Sequence, residues 1–285
     1  MGNILITASH FQTLCQKAIH LLESNGHQVI LNDHELPYYP FEELAVWAPE
    51  IDGAIIGMDQ WNEQVFQIAP KLKILARFGV GVDNIDLEAA KRHGIQVVNA
   101  AGMNANAVAE LAVAMILNCL RGIPELNRKL TDGQWSRAVG RDLLGKTVGL
   151  LGFGDIGGRV AKKLSGFEVR LLAYDPYPNR EKAAALGVTL TDLDTVLTQS
   201  DILSIHMPSI PATRHVMNRE TFAKMKPDSY FINTARGALV DTQALVDAVA
   251  GGHLAGAAVD VYEQEPLPMG APILHTPGIQ CIPHA

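Results

Sequence analysis

Short apolar runs alternate with stretches of helical period along almost the whole chain. "NILITAS" near the N-terminus has the pattern of a strand. "FQTLCQKAIHLLESNG" has the period of one helix and closes on Gly26, a frequent residue just past a helix end. "HQVIL", "GAIIG", "KILARFG" and "QVVNA" repeat the strand signal, with helix-like segments between them. Runs this short and this apolar predict parallel strands covered on both faces. Residues 1–100 are therefore expected to form one doubly wound α/β domain, and residues 101–285 a second.

The second domain opens on "NANAVAELAVAMILNCLRGIPELNRKL". Val108, Leu111, Ala112, Met115, Ile116 and Cys119 recur at helical spacing there, which predicts one long helix joining the domains. From Lys146 the alternation resumes. "KTVGLLGFG", "VRLLAYD", "DILSIHMP", "SYFINTA" and "LAGAAVDVY" are expected strands of one parallel sheet with right-handed crossovers.

The first strand of this series runs into Gly152-Phe153-Gly154-Asp155-Ile156-Gly157, and Ile156, Val160 and Leu164 then continue at helical spacing. A strand before GxGxxG and a helix after it are the context of a dinucleotide-binding loop. Gly152 would make the tight turn, Gly154 would let the backbone approach a diphosphate, and Gly157 would let helix and strand pack closely. The free N–H groups opening the helix favour that charge. The next strand ends at Asp175, 18 residues beyond Gly157. An acid there binds the adenosine ribose hydroxyls and repels a 2′-phosphate, so NAD is the expected cofactor; Arg180 leaves some opening for NADP. Gly140 to Thr147 also matches a P-loop in letters, but it follows a polar stretch and opens a strand, so a phosphate cradle is not expected.

Composition narrows the function. The chain has 285 residues, is 48% hydrophobic and 19% charged, and carries a formal net charge of −7. No dense basic run suggests nucleic acid, and no apolar run is long enough for a membrane helix. The start of the chain lacks a basic signal region, and three scattered cysteines suit a reducing compartment. A cytoplasmic protein without nucleic-acid or membrane partners is expected.

Candidate chemistry collects at strand ends, where doubly wound sheets bind ligands. Asp175, His206-Met207-Pro208, Thr234-Ala235-Arg236-Gly237, and Asp260 with Glu263 and Glu265 all fall there. A guanidinium can hold a carboxylate and polarise the adjacent carbonyl. Hydride transfer to a ketone also needs a proton donor, and a histidine backed by a carboxylate suits neutral pH. Strand position alone favours His206 for that role, with His284 second.

The sequence resembles the D-isomer-specific 2-hydroxyacid dehydrogenases, with the D-3-phosphoglycerate dehydrogenase-like branch nearest. The matching stretches are "GVGVDNIDLEAAKRHGIQVVNAAGMNANAVAELAVAMIL", "LLGKTVGLLGFGDIGGRVAKKL", "HMPSIPATRHVMN", "FINTARGALVDTQAL", "GAAVDVYEQEPLP" and "CIPHA". The resemblance implies a flavodoxin-like substrate domain, a Rossmann NAD domain and a homodimer. It implies that Arg236 binds substrate and polarises its carbonyl, and that His284, not His206, is the catalytic histidine with Glu265 as its partner. Val80 and Gly81 would take the substrate carboxylate on backbone N–H groups. Val80, Asn104, Val108, Gly152, Gly154, Asp155, Ile156, Gly157, Asp175, His206, Met207, Pro208, Thr213, Thr234, Ala235, Arg236, Asp260 and His284 would line the cofactor. Such proteins continue beyond the "PHA" stretch, so a loop and a helix returning to the first domain are expected after it.

The implied reaction is hydride exchange between NAD(H) and a D-2-hydroxy acid or 2-oxo acid. The candidates are 3-phosphoglycerate and, alternatively, hydroxypyruvate or glyoxylate. A non-catalytic NAD-sensing regulator is the reading from another class. Where phosphoglycerate enzymes carry a basic segment, this chain has Gly57-Met58-Asp59-Gln60-Trp61. The phosphate-holding cation is missing there, Arg77 could supply one instead, and Asp59 is expected to repel a phosphate.

Overall fold

A computed structural model describes residues 1–31 and 38–285. The chain divides into two compact units, Met1–Asn104 and Ala105–Ala285.

In the first unit the apolar runs become β1 (Asn3–Ile6), β2 (Gln28–Leu31), β3 (Gly53–Ile56), β4 (Ile74–Arg77) and β5 (Gln96–Asn99). All pairings are parallel, in the order β2-β1-β3-β4-β5. This is the flavodoxin-like order, in which the chain reverses direction across the sheet beside β1. Leu5, Ile56 and Leu75 are fully buried at its centre.

In the second unit the strands are β6 (Thr147–Leu151), β7 (Arg170–Tyr174), β8 (Val188–Leu190), β9 (Ile202–Ile205), β10 (Ser229–Asn233), β11 (Leu254–Val259) and β12 (Ile279–Cys281). They pair in parallel in the order β12-β11-β10-β9-β6-β7-β8. The switch point lies between β6 and β9, where a doubly wound sheet opens its ligand crevice. Every residue of β9 and β10 is buried, as expected for strands with helices on both faces.

Two expected helices are each broken in two. The first separates at Cys15 into Phe11–Leu14 and Gln16–Ser24. No Gly or Pro marks this break. The Phe11 ring is buried edge-on against Phe78, 5.1 Å between centroids, while Leu14 stays 73% exposed. The expected joining helix runs only over Ala105–Arg121 and then turns 63° into Ile123–Thr131. Gly122 takes a left-handed conformation (φ 61°) at the corner, and Pro124 has no N–H to continue the ladder. The buried face of Ala105–Arg121 is also narrower than expected. Ala105, Ala109, Ala112, Met115, Ile116 and Leu120 are buried, whereas Val108, Leu111 and Cys119 are half-buried. Small residues let this helix lie close to the helix Asp155–Leu164, where Gly157 and Gly158 are buried. Among the described residues no single helix is long and apolar enough to cross a membrane, although the bent pair passes by length and composition.

Lys146 precedes β6 directly and opens no helix, so the P-loop letters form no phosphate cradle.

Candidate functional site

The glycine loop sits at the switch point. Gly152 has φ 95°, and a Cβ there would come within 2.7 Å of His206 O. At Gly157 a Cβ would meet Gly152 O at 2.2 Å. Both positions are closed to any side chain by backbone. At Gly154, the N-cap of the helix Asp155–Leu164, a Cβ would meet nothing within 4 Å. The close packing and the open approach thus fall where a diphosphate requires each. Asp155 is exposed in the first turn, with Arg159 Nε donating to it at 3.1 Å, and Ile156 packs into the core.

Asp175 follows β7. Its Oδ2 accepts the Phe153 N–H at 2.7 Å and its Oδ1 the Tyr177 N–H at 2.8 Å. The carboxylate therefore holds the glycine loop and the following turn in one grip, while each oxygen keeps a further lone pair. Beside it a pocket of about 460 Å³ is lined by Ala173, Tyr174, Asp175, Pro176, Pro178, Arg180, Leu190 and Thr191. Arg180 makes no hydrogen bond or ion pair with the described residues. Lys182 also reaches this loop. Its Nζ donates to Gly154 O at 2.7 Å and lies 5.5 Å from the Phe153 ring centroid. Separation by 28 residues hides that pairing from any local pattern.

Two strand ends carry buried polar atoms without partners among the described residues, His206 Nδ1 after β9 and Thr234 Oγ1 after β10. Orphaned groups of this kind cost free energy unless something bonds them. With the open face of Gly154 and the Asp175 pocket, they are the features a bound dinucleotide would use, so the residues present fit NAD. Met207 is core, Pro208 is exposed, and Thr213 Oγ1 donates to Pro208 O at 2.7 Å, so that its hydroxyl fastens the loop after β9. Ala235 is partly buried against the same core.

The environments of the two candidate histidines differ. Burial lowers His206 to about 4, and its Nε2 meets Ser204 Oγ at 3.0 Å. His206 stays neutral when folded, but once unfolded it takes up a proton below its ordinary value of 6.5. Stability therefore falls as pH drops from 6.5 toward 4. Linkage puts the loss from this group at about 1–2 kcal/mol between pH 7 and 5. Urea unfolding of the cofactor-free protein at the two pH values should show this slope, and His206→Asn should flatten it.

His284 follows β12. Its Nδ1 lies 2.7 Å from Glu265 Oε2, and its backbone N–H donates to Asp260 O at 2.9 Å. Glu265 Oε1 accepts the Tyr262 N–H at 2.9 Å, and the Tyr262 hydroxyl donates to Ile282 O at 2.8 Å. The carboxylate fixes which ring nitrogen carries hydrogen, so Nε2 faces outward. Asp260 is buried, its carboxyl is held above the usual range by desolvation, and its Oδ1 accepts the Ala285 N–H at 2.8 Å.

Arg236 is half-buried after β10, with Nη1 donating to Ala235 O at 2.7 Å. The buried Asn233 shapes this turn, donating to Arg236 O at 3.0 Å and accepting the Ala235 N–H at 2.9 Å. Asn233 carries no distinguishing signal in the sequence, since one Asn before a turn is common.

In the first unit, Asn99 Nδ2 donates to Val80 O at 2.6 Å, and the Ala100 N–H donates to Gly79 O at 2.9 Å. These bonds hold the loop by its carbonyls, and the Val80 and Gly81 N–H groups meet no acceptor among the described residues. Asn104 is exposed and Val108 half-buried. The expectation for Asp59 is corrected. It is 0% exposed, and its carboxylate accepts from the Thr7 hydroxyl, from Tyr39 N at 2.5 Å and from Gly57 N at 3.3 Å. Its oxygens are turned inward and taken up by these donors, so the side chain is not presented at the surface. Among the described residues no group of side chains could hold a metal ion.

The sequence model of the D-isomer specific 2-hydroxyacid dehydrogenase NAD binding domain matches residues 113–285. The chain is 38% identical over 276 residues to a D-3-phosphoglycerate dehydrogenase of Archaeoglobus fulgidus, covering 96% of this chain and 52% of the relative. It is 39% identical over 252 residues to a hydroxypyruvate reductase of Thermotoga maritima, covering 86% and 81%. The crystal structure of an NAD-dependent formate dehydrogenase from Staphylococcus aureus in complex with NAD aligns over 100% of this chain and 88% of that one, at TM-score 0.84 and 31% identity. The chain thus spans about half the length of the phosphoglycerate dehydrogenase it matches and four-fifths of the hydroxypyruvate reductase. A family model that matches more than half of the chain, including the segment that holds Glu265 and His284, means that the chain belongs to the D-isomer specific 2-hydroxyacid dehydrogenase family.

Proposed function

We propose that the protein is an NAD-dependent D-2-hydroxyacid dehydrogenase that interconverts a short 2-oxo acid and its D-2-hydroxy acid. The observation that carries this reading is the His284–Glu265 pair at 2.7 Å, which leaves Nε2 as a proton donor and acceptor. NADH, when bound, supplies the hydride. Arg236 holds the substrate carboxylate and draws electron density from the ketone oxygen. The Val80 and Gly81 amides contribute to carboxylate binding. His284 delivers a proton to the oxygen during reduction and takes it back during oxidation, while Glu265 at 2.7 Å orients its ring. Residues 1–100 serve the substrate and residues 101–285 the cofactor. A substrate without a phosphate is favoured, because the segment 57–61 brings no Lys or Arg.

The test is NADH oxidation with hydroxypyruvate, glyoxylate, pyruvate and 3-phosphohydroxypyruvate. Turnover of at least one supports the reading; tight NADH binding with no turnover of any favours a regulator. Asp175→Asn should raise the Kd for NADH about tenfold and narrow the preference over NADPH by a similar factor. An unchanged preference would reduce Asp175 to its two backbone bonds.

The protein is further proposed to be a homodimer, because Trp135 and Val139 are 88% and 101% exposed in one segment. Sedimentation at micromolar concentration tests this. Its three cysteines, all free, fit a cytoplasmic location.

A further inference from the structure

Glu263 lies two residues before Glu265 and has no part in the chemistry above. Both its oxygens are nonetheless committed. Oε1 lies 2.6 Å from His215 Nε2, and Oε2 accepts the Thr242 N–H at 3.0 Å. Thr242 is the first residue of the helix Thr242–Ala250, where the helix dipole favours a negative charge. His215 is itself fixed. It sits in a left-handed conformation (φ 48°), its N–H donates to Ala238 O at 2.9 Å, and its carbonyl accepts from Asn218 Nδ2 at 3.1 Å. The backbone of Tyr262 and Glu263 lies directly over Gly237, where a Cβ would come within 1.9 Å of Tyr262 C. From Tyr262 the contacts continue to Glu265 Oε1 and to Ile282 O, two residues before His284.

We propose that Glu263 and His215 form a positioning pair that holds the 261–266 segment so that Glu265 meets His284. This rests on the catalytic reading of Glu265 and His284. As an isolated surface ion pair it would contribute at most about 1 kcal/mol to stability. As a two-point anchor two residues from a catalytic partner it acts through geometry, and a displacement of about 1 Å at such a partner costs up to 10²-fold in rate. The bonds of Glu263 run to His215 and Thr242 and not to the reacting groups, so its influence passes through the backbone of the segment.

The test uses the full chain. Glu263→Ala should lower kcat about tenfold, with the Kd for NADH within twofold and the substrate KM within threefold. Glu263→Gln, which keeps an acceptor for the Thr242 N–H, should recover most of the rate. In a Glu265→Gln background, Glu263→Ala should cost less than twofold, because the partner it positions is already lost. In the cofactor-free protein, hydrogen exchange across 260–266 should speed up about fivefold in Glu263→Ala. An unchanged kcat, an equal loss in both backgrounds, or a parallel loss of NADH affinity would overturn the proposal. If Glu263→Ala does not fold, His215→Ala, which removes the other half of the pair, carries the same comparisons. If the unaltered protein turns over no 2-oxo acid, the catalytic reading falls by itself. The exchange measurement then still decides whether Glu263 holds the segment, and unchanged exchange would overturn it.

Discussion

Replacing His284 with alanine should lower kcat by about 10²–10⁴-fold while leaving the Kd for NADH within threefold. The loss follows from geometry. Nδ1 is committed to Glu265 at 2.7 Å, so Nε2 is the position from which a proton reaches a ketone oxygen. The backbone bond from His284 N–H to Asp260 O survives the substitution, so the strand end stays anchored. His284 has φ 56°, a conformation that costs alanine roughly 1–2 kcal/mol but suits asparagine better. His284→Asn therefore separates backbone from proton transfer: it should be as slow as alanine and more stable. Steady-state rates with the best substrate of the 2-oxo acid panel, together with NADH fluorescence titration, decide. A kcat within fivefold of the unaltered protein removes His284 from the chemistry. Loss of NADH binding would give it a structural role instead.

Gly237→Ala should destabilise the protein by about 3 kcal/mol, the upper end for overpacking, and slow any remaining activity. The added Cβ would lie 1.9 Å from Tyr262 C, 2.0 Å from Tyr262 O and 2.4 Å from Glu263 N. All three are backbone atoms, so no flexible side chain can yield. The segment that moves is the one carrying Glu265, and stability and rate should fall together. At about 2–4 °C per kcal/mol for a domain of this size, the melting temperature should drop by roughly 6–12 °C. Differential scanning fluorimetry checks this, and a shift below 2 °C would show that the 261–266 segment is looser than its packing implies.

Much of the site could be read from local pattern. The GxGxxG loop, the acid ending β7 and the polar strand ends announce a dinucleotide site because they depend on short-range rules. A positive φ demands glycine, a helix start favours anions, and a strand must end before a loop can present a side chain. Other features have no local signature. The break at Cys15 lacks a breaker residue, and its companion is an aromatic contact with Phe78, far along the chain. Asp59 looks like a surface acid in "GMDQW" and is buried among Thr7, Tyr39 and Gly57.

By itself the sequence determined the alternation of elements, the two-domain organisation it predicts, the glycine loop and the residue types needed for hydride and proton transfer. Periodicity and turn chemistry act over a few residues, so they survive in one dimension. Only the tertiary structure decided which of these groups acquire partners. His206 and His284 both follow strands, yet the fold leaves one half-buried beside Ser204 with its Nδ1 enclosed and its pKa lowered, and pairs the other with Glu265, 19 residues away. His215 and Glu263 meet across 48 residues, and Lys182 reaches the glycine loop across 28. A parallel sheet sets strand ends side by side with long crossovers between them, so the pairings that tune each ionisable group are non-local by construction.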